Sequence, residues 1–193
     1  MTPMKINFVS DIACPWCAVG LGALEQALER LKGDVQADLH FQPFELNPHM
    51  GPGGQDLGEH LTQKYGSTPE QQAQIRQTIA ARGAEVGFAF HPGGRGRVYN
   101  TFNAHRLLHW AEGQGAGAQH QLKKAFLEAY QGRAECMEDP EVLLACVAAA
   151  QRCPHRRGAR AATVLHPGGH PLCARSHHQR QALDLGRPAG RGV

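Results

Sequence analysis

Two cysteines three residues apart, Cys14 and Cys17 in Asp11-Ile12-Ala13-Cys14-Pro15-Trp16-Cys17, are the residues best placed to do chemistry. They open an amphipathic helix directly after a short apolar strand, a setting that suits thiol–disulfide exchange. Residues i and i+3 of a helix share a face, with Cβ atoms about 5–6 Å apart. A disulfide tolerates Cα separations of roughly 4.4–6.8 Å, so the two can close a bridge with little backbone movement. Cys14 stands at the helix start, where unpaired N–H groups and the macrodipole favour negative charge and lower a thiol pKa. Cys14 is therefore the expected nucleophile and Cys17, one turn in, the resolving thiol. Pro15 fits the first helical turn, where its missing N–H has no intrahelical partner to lose. Trp16, an exposed aromatic, is expected with Pro15 to contact the substrate.

The neighbouring elements support this placement. Lys5-Ile6-Asn7-Phe8-Val9 is rich in strand formers, and Cys17, Leu21, Leu24, Leu28 and Leu31 share one helical face, with Gly33 as the stop. Val35 to Phe41 alternates apolar and polar and reads as a second strand. Strand, helix and strand over some forty residues make a βαβ unit with parallel strands. A C-x-x-C beside such a unit reads as a thioredoxin-like redox site.

Further stretches carry a family resemblance: Asp11 to Cys17 with Gly20, Pro43-Phe44-Glu45-Leu46-Asn47-Pro48, Asn100-Thr101-Phe102-Asn103-Ala104-His105-Arg106-Leu107-Leu108, and Asp139-Pro140-Glu141-Val142-Leu143. Taken in order, from about residue 5 to about residue 150, they resemble the DsbA-type thioredoxin-like oxidoreductases of the FrnE branch. The resemblance implies an α/β fold: a thioredoxin-like βαβ unit (residues 1–46), a helical insertion (47–150), and a closing hairpin and helix. It also places Asn100 and His105 near the active site, His105 binding substrate or acting electrostatically on the cysteines. The related glutathione-dependent chromene-carboxylate isomerases and kappa-class glutathione transferases typically carry serine where Cys14 stands. Cysteine here favours redox work over isomerisation, with glutathione as an allowed co-substrate of the alternative reading.

At 193 residues the chain is one domain, or one domain with an inserted subdomain. No run of about 20 apolar residues could span a membrane, and no secretory signal precedes the first strand, so the expected compartment is the cytoplasm. Disulfides there are transient and catalytic, so the six cysteines are not read as a structural framework. No resident cofactor is expected. Structural zinc wants a second close ligand pair, and Cys136 with Cys146, or Cys153 with His155, does not make one. Cys136 and Cys146 could instead form an auxiliary redox pair, although a buried helix cysteine and a loop cysteine is the plainer reading. Expected partners are protein or small-molecule thiols and disulfides, with a homodimer as one candidate assembly.

Beyond the second strand, a Gly- and Pro-rich loop runs to Gln55. Helices are expected from Asp56 to Tyr65, from Ser67-Thr68-Pro69-Glu70 to about Val86, over Tyr99–Glu112 and Ala118–Gln131, and from Asp139-Pro140-Glu141. Phe102, Leu107, Leu108 and Trp110 are the expected packing residues of the Tyr99–Glu112 helix, and Leu122, Ala125, Phe126, Ala129 and Tyr130 those of the next. His91 to Arg97 is a glycine-rich loop without the ending or setting of a nucleotide site.

Residues 151–193 break the pattern. They hold eight arginines, no lysine and one acid, Asp184, net +7, while the first 150 hold 12 basic and 16 acidic side chains, net −4. They also lack Phe, Tyr, Trp and Ile, and Thr163-Val164-Leu165-His166-Pro167 is a poor match to the cis-proline strand that the family carries there. The abrupt change reads as translation in a shifted frame, leaving an irregular basic tail where the hairpin and closing helix are missing. Without aromatics to stack on bases it has no specific nucleic-acid partner. A catalytically inactive binding protein with an unfinished fold is thus a third reading.

Overall fold

The computed structural model describes residues 2–152. Its framework is β1 (Thr2–Ser10), α1 (Pro15–Arg30) and β2 (Val35–Pro43). The strands pair in parallel over their whole length, from Thr2 opposite Val35 to Ser10 opposite Pro43. Both outrun the apolar alternation, because backbone pairing extends through residues whose side chains carry no strand signal. Ile6 and Phe8 stand beside Leu39 and Phe41 on one face, and the Phe8 and Phe41 rings meet edge to face at 5.7 Å. Helix α1 lies against this face: a Cβ on Gly20 would stand 3.7 Å from the Phe8 ring.

The expected leucine stripe holds only in part. Leu21 is buried and Leu24 and Leu28 half-buried, but Leu31 is 45% exposed. The reason is local: α1 ends at Arg30, and Leu31 is the capping residue beyond its last turn.

A helical layer follows: α2 (Leu57–Tyr65), α3 (Pro69–Glu85), α4 (Phe102–Glu112), α5 (Ala118–Leu127) and α6 (Pro140–Arg152). Its ends obey local chemistry. The Asp56 carboxylate accepts from Glu59 N–H at 3.0 Å, and Gly66 takes the left-handed conformation at φ 67° that ends α2. Thr68 and Gln71 form a capping box before α3, at 3.3 and 2.9 Å. A two-residue antiparallel ladder, β3 (Gln55–Asp56) with β4 (Arg97–Val98), clips the ends of this segment together and was not anticipated.

Two helices depart from the sequence expectation. Helix α4 starts at Phe102 and not at Tyr99, because the Tyr99 N–H donates to the Tyr130 hydroxyl (3.0 Å) and the Asn100 N–H to Glu138 (3.2 Å). Phe102, expected to pack, is 52% exposed at the first helical position, with the Arg106 guanidinium over its ring. The expected Ala118–Gln131 helix is α5 followed by one π-helical turn, Glu128–Gly132, which buries Tyr130 and Gln131.

The core joins both halves. Ile12, Ala13, Leu21 and Phe41 pack in one cluster with Leu107, Leu108, Leu122, Phe126, Tyr130 and Leu143. The outer edge of β2 is met by Gln119 of α5, whose amide accepts from Phe41 N–H (2.8 Å) and donates to Phe41 C=O (3.0 Å). Among the described residues no helix is long and apolar enough to cross a membrane. The readings of the basic tail, the missing hairpin and the absent cis-proline segment concern residues 153–193, which lie outside those described.

Candidate active site

The turn between β1 and α1 carries the two cysteines, and the helical layer grips its main chain. Lys123 Nζ donates to Ser10 C=O at 3.5 Å, Gln131 Nε2 to Ile12 C=O at 2.7 Å, and the Arg95 guanidinium to Ala13 C=O. His105 Nε2 meets Asp11 Oδ1 at 3.3 Å. The same carboxylate accepts from Ala13 N–H at 3.0 Å and from Leu46 N–H at 2.7 Å. Burial pushes Asp11 up most, but the bonds from His105, Ala13 and Leu46 together hold its carboxyl below the ordinary value. Asp11 thus ties the cysteine turn to the loop after β2 and to α4.

Cys14 is the N-cap residue of α1, in extended backbone, and Pro15 is its first helical residue. The Cys14 N–H donates to Asp11 C=O at 3.2 Å and the Cys17 N–H to Cys14 C=O at 3.1 Å, which closes the turn. The side chains are ionised unequally. A hydrogen bond from the Cys17 thiol is the strongest influence on Cys14. Burial and the Asp11 charge oppose it, the N–H groups of Cys17 and Trp16 assist it, and the Cys14 pKa falls to about 6. At pH 7 the thiolate is then the favoured form of Cys14. Cys17 moves the other way, pushed far above the ordinary thiol value by donating to Cys14, by burial and by the Cys14 charge. The pair therefore shares one proton, held on Cys17, and presents one sulfur nucleophile at the helix start.

The other residues singled out in the sequence divide. Trp16, between the two cysteines in the chain, is 48% exposed, and Pro15 is half-buried. His105 is only 5% exposed and faces Asp11, behind the turn. Asn100 accepts from Phe102 N–H (2.9 Å) and donates to Pro48 C=O (3.4 Å), linking the start of α4 to the loop after β2. Cys146 is a free, buried thiol that donates to Ala125 C=O at 3.7 Å, so it forms no disulfide with Cys136 in this structure. Burial raises the Cys146 pKa to about 11, which makes it a poor nucleophile. Among the described residues no three His, Cys, Asp or Glu side chains are gathered as a metal would need.

Sequence reasoning missed Lys123 and Arg95. Lys123 is 1% exposed, and burial above all lowers its pKa to about 8, against the pull of Cys17, Asp11 and Cys14. A signal existed: Gln119, Leu122, Lys123, Phe126 and Leu127 are all buried and follow the i, i+3, i+4, i+7, i+8 spacing of a core stripe. Arg95 sits in the glycine-rich loop, its guanidinium 5.1 Å above the Tyr130 ring.

Residues 5–151 match the model of the DSBA-like thioredoxin domain. No curated protein sequence matches the chain. Among solved structures it is similar to a probable DsbA oxidoreductase from Streptomyces coelicolor, with a TM-score of 0.69 and 30% sequence identity. That match covers 83% of this chain and 65% of the Streptomyces protein, so the chain spans less than two thirds of that relative's length.

Proposed function

The chain belongs to the DSBA-like thioredoxin domain family, with its mixed α/β thioredoxin-like fold, and we propose that it is a thiol–disulfide oxidoreductase using Cys14 and Cys17. The observation that carries this assignment is the placement of the pair: Cys14 caps α1 at the turn after β1, and Cys17, one turn in, donates its N–H to Cys14 C=O at 3.1 Å, an arrangement that favours the Cys14 thiolate. In the first step the Cys14 thiolate attacks one sulfur of a substrate disulfide. A Cys14–substrate bond forms, the substrate S–S bond breaks, and the departing thiolate takes a proton from solvent. In the second, Cys17 gives up its proton and its thiolate attacks Cys14 Sγ. The Cys14–Cys17 bond forms, and the second substrate sulfur leaves with its electron pair. The substrate gains two electrons and the cysteine pair loses two; the same steps reversed oxidise a dithiol.

Pro15 and Trp16 are assigned to the substrate surface. Asn100 is assigned to shaping it through the Pro48 loop, and His105 to acting through Asp11. Within the family we assign the chain to the FrnE branch, on the motifs from Asp11 to Leu143, with residues 47–150 as the insertion and the cytoplasm as its compartment. A thiol at position 14, where isomerase relatives carry serine, supports exchange over glutathione-dependent isomerisation. The test is reduction of a small aromatic disulfide under dithiothreitol. Activity should vanish in Cys14→Ser; activity retained in that variant refutes the assignment.

A further inference from the structure

Resolution of the mixed disulfide needs the Cys17 thiolate, yet Cys17 is the thiol that holds the shared proton. Once Cys14 is bound to substrate, its charge and its acceptor role are gone. Burial still opposes the Cys17 thiolate, while the Asp11 N–H and Lys123 favour it.

One peptide unit joins these two favourable groups. Lys123 Nζ donates to the Ser10 carbonyl at 3.5 Å, and the N–H of that same peptide, belonging to Asp11, supports the Cys17 thiolate. In a trans peptide the carbonyl and the N–H point in opposite directions. The ammonium therefore meets the negative end of the peptide dipole and the sulfur meets the positive end. Aligned this way, the cation polarises the peptide and strengthens its N–H toward sulfur.

Packing alone gives a poor reason for a lysine here. A 1% exposed ammonium bonded to one carbonyl carries a desolvation cost that a methionine of similar length would avoid. Lys123 also lines a crevice of about 20 Å³ with His105, His109 and Glu112 of α4, room for about one water. The other charged groups acting on Lys123 are Cys17, Asp11 and Cys14, and Asp11 is already engaged by His105.

We propose that Lys123 is the positioning residue for Cys17: acting through the Ser10–Asp11 peptide, its ammonium stabilises the Cys17 thiolate and speeds displacement of the substrate sulfur from Cys14. The inference rests on the exchange chemistry proposed above. With a lysine pKa near 8, the effect is present at neutral pH and fades as pH rises through that value.

The experiment reads the pH midpoint of Cys17 alkylation by iodoacetamide in a Cys14→Ser chain. Lys123→Met should raise that midpoint by about one unit, and Lys123→Arg should restore it to within about 0.3. In a Cys17→Ser chain the Cys14 midpoint should move less than half as far on Lys123→Met. An unmoved Cys17 midpoint, or an equal shift at Cys14, overturns the role. Where the Lys123 variants fail to fold, an NMR titration of the Lys123 ε-carbon decides, because a Cys17 thiolate raises the lysine midpoint. A higher midpoint in the Cys14→Ser chain than in the Cys14→Ser/Cys17→Ser chain supports the role, and equal midpoints overturn it. Disulfide reduction by the unsubstituted chain is read separately. Reduction with an unmoved Cys17 midpoint refutes Lys123 alone, and a moved midpoint without reduction refutes the oxidoreductase assignment alone.

Discussion

Replacing Asp11 by asparagine should weaken the fold and sharpen the nucleophile at once. Asp11 is 1% exposed and gathers bonds from His105 at 3.3 Å, Ala13 at 3.0 Å and Leu46 at 2.7 Å on its two oxygens. An asparagine has one acceptor oxygen, so either the Leu46 N–H or the Ala13 and His105 side must face an NH2 group. One buried donor left unmet costs about 1–3 kcal/mol, and loss of the charged partner to His105 adds to it. The expected loss is about 3 kcal/mol, a large share of the 5–15 kcal/mol typical of a domain. Equilibrium urea unfolding of the reduced protein at pH 7 measures it. The folded-state pKa of Asp11 is depressed, so its contribution is present above the ordinary value of 3.8 and is lost as pH falls through the lower folded value. The gap between the two chains should therefore close below about pH 4. Because the Asp11 charge pushes Cys14 up, removing it should also lower the alkylation midpoint of Cys14 below about 6. Unchanged urea stability, or a Cys14 midpoint that rises, would refute this reasoning.

Three further outcomes separate structure from chemistry. Gln119→Ala strips the amide from the Phe41 N–H and C=O and should cost about 2–4 kcal/mol by urea unfolding. Thr68→Ala opens the capping box of α3 and should cost about 1 kcal/mol, with the Cys14 alkylation midpoint unmoved. Trp16→Ala, at a 48% exposed position, should change stability by less than about 0.5 kcal/mol. Its effect should appear as a raised KM for a peptide disulfide, with Cys14 ionisation intact.

What could be read in advance was what is local in the chain. The cysteine spacing, Pro15 at the helix start and the Thr68 cap each follow from residues within a turn or two of one another, and the parallel βαβ unit follows from three such local elements in succession. The rest depends on contacts made across long stretches of chain. Asp11 and His105 lie 94 residues apart, and Lys123 and Ser10 lie 113 apart. In Gln-Leu-Lys-Lys only the spacing of the α5 stripe signals that Lys123 turns inward, and nothing there names the Ser10 carbonyl as its partner. Lys123 is enclosed because the buried stripe of α5 extends beyond its apolar positions to Gln119 and Lys123, which use main-chain carbonyls of β2 and β1 as partners. Leu31 and Phe102 erred the other way: apolar residues at helix ends, where the helix no longer faces the core. The two-residue ladder of β3 and β4 is too short to leave an alternation.

The most direct measurement of the division of labour between Cys14 and Cys17 is capture of the intermediate. A reduced Cys17→Ser chain is mixed with excess peptide disulfide at pH 7, quenched with acid, and weighed intact by mass spectrometry, with the adduct then mapped by digestion. One peptide per chain, bound at Cys14 and released only by added dithiol, is the expected result, with no Cys14-type adduct in Cys14→Ser. Adducts led by another cysteine, or a Cys17→Ser chain that turns over peptide disulfide as fast as the unsubstituted one, would contradict the assignment of Cys14 as nucleophile and Cys17 as resolving thiol.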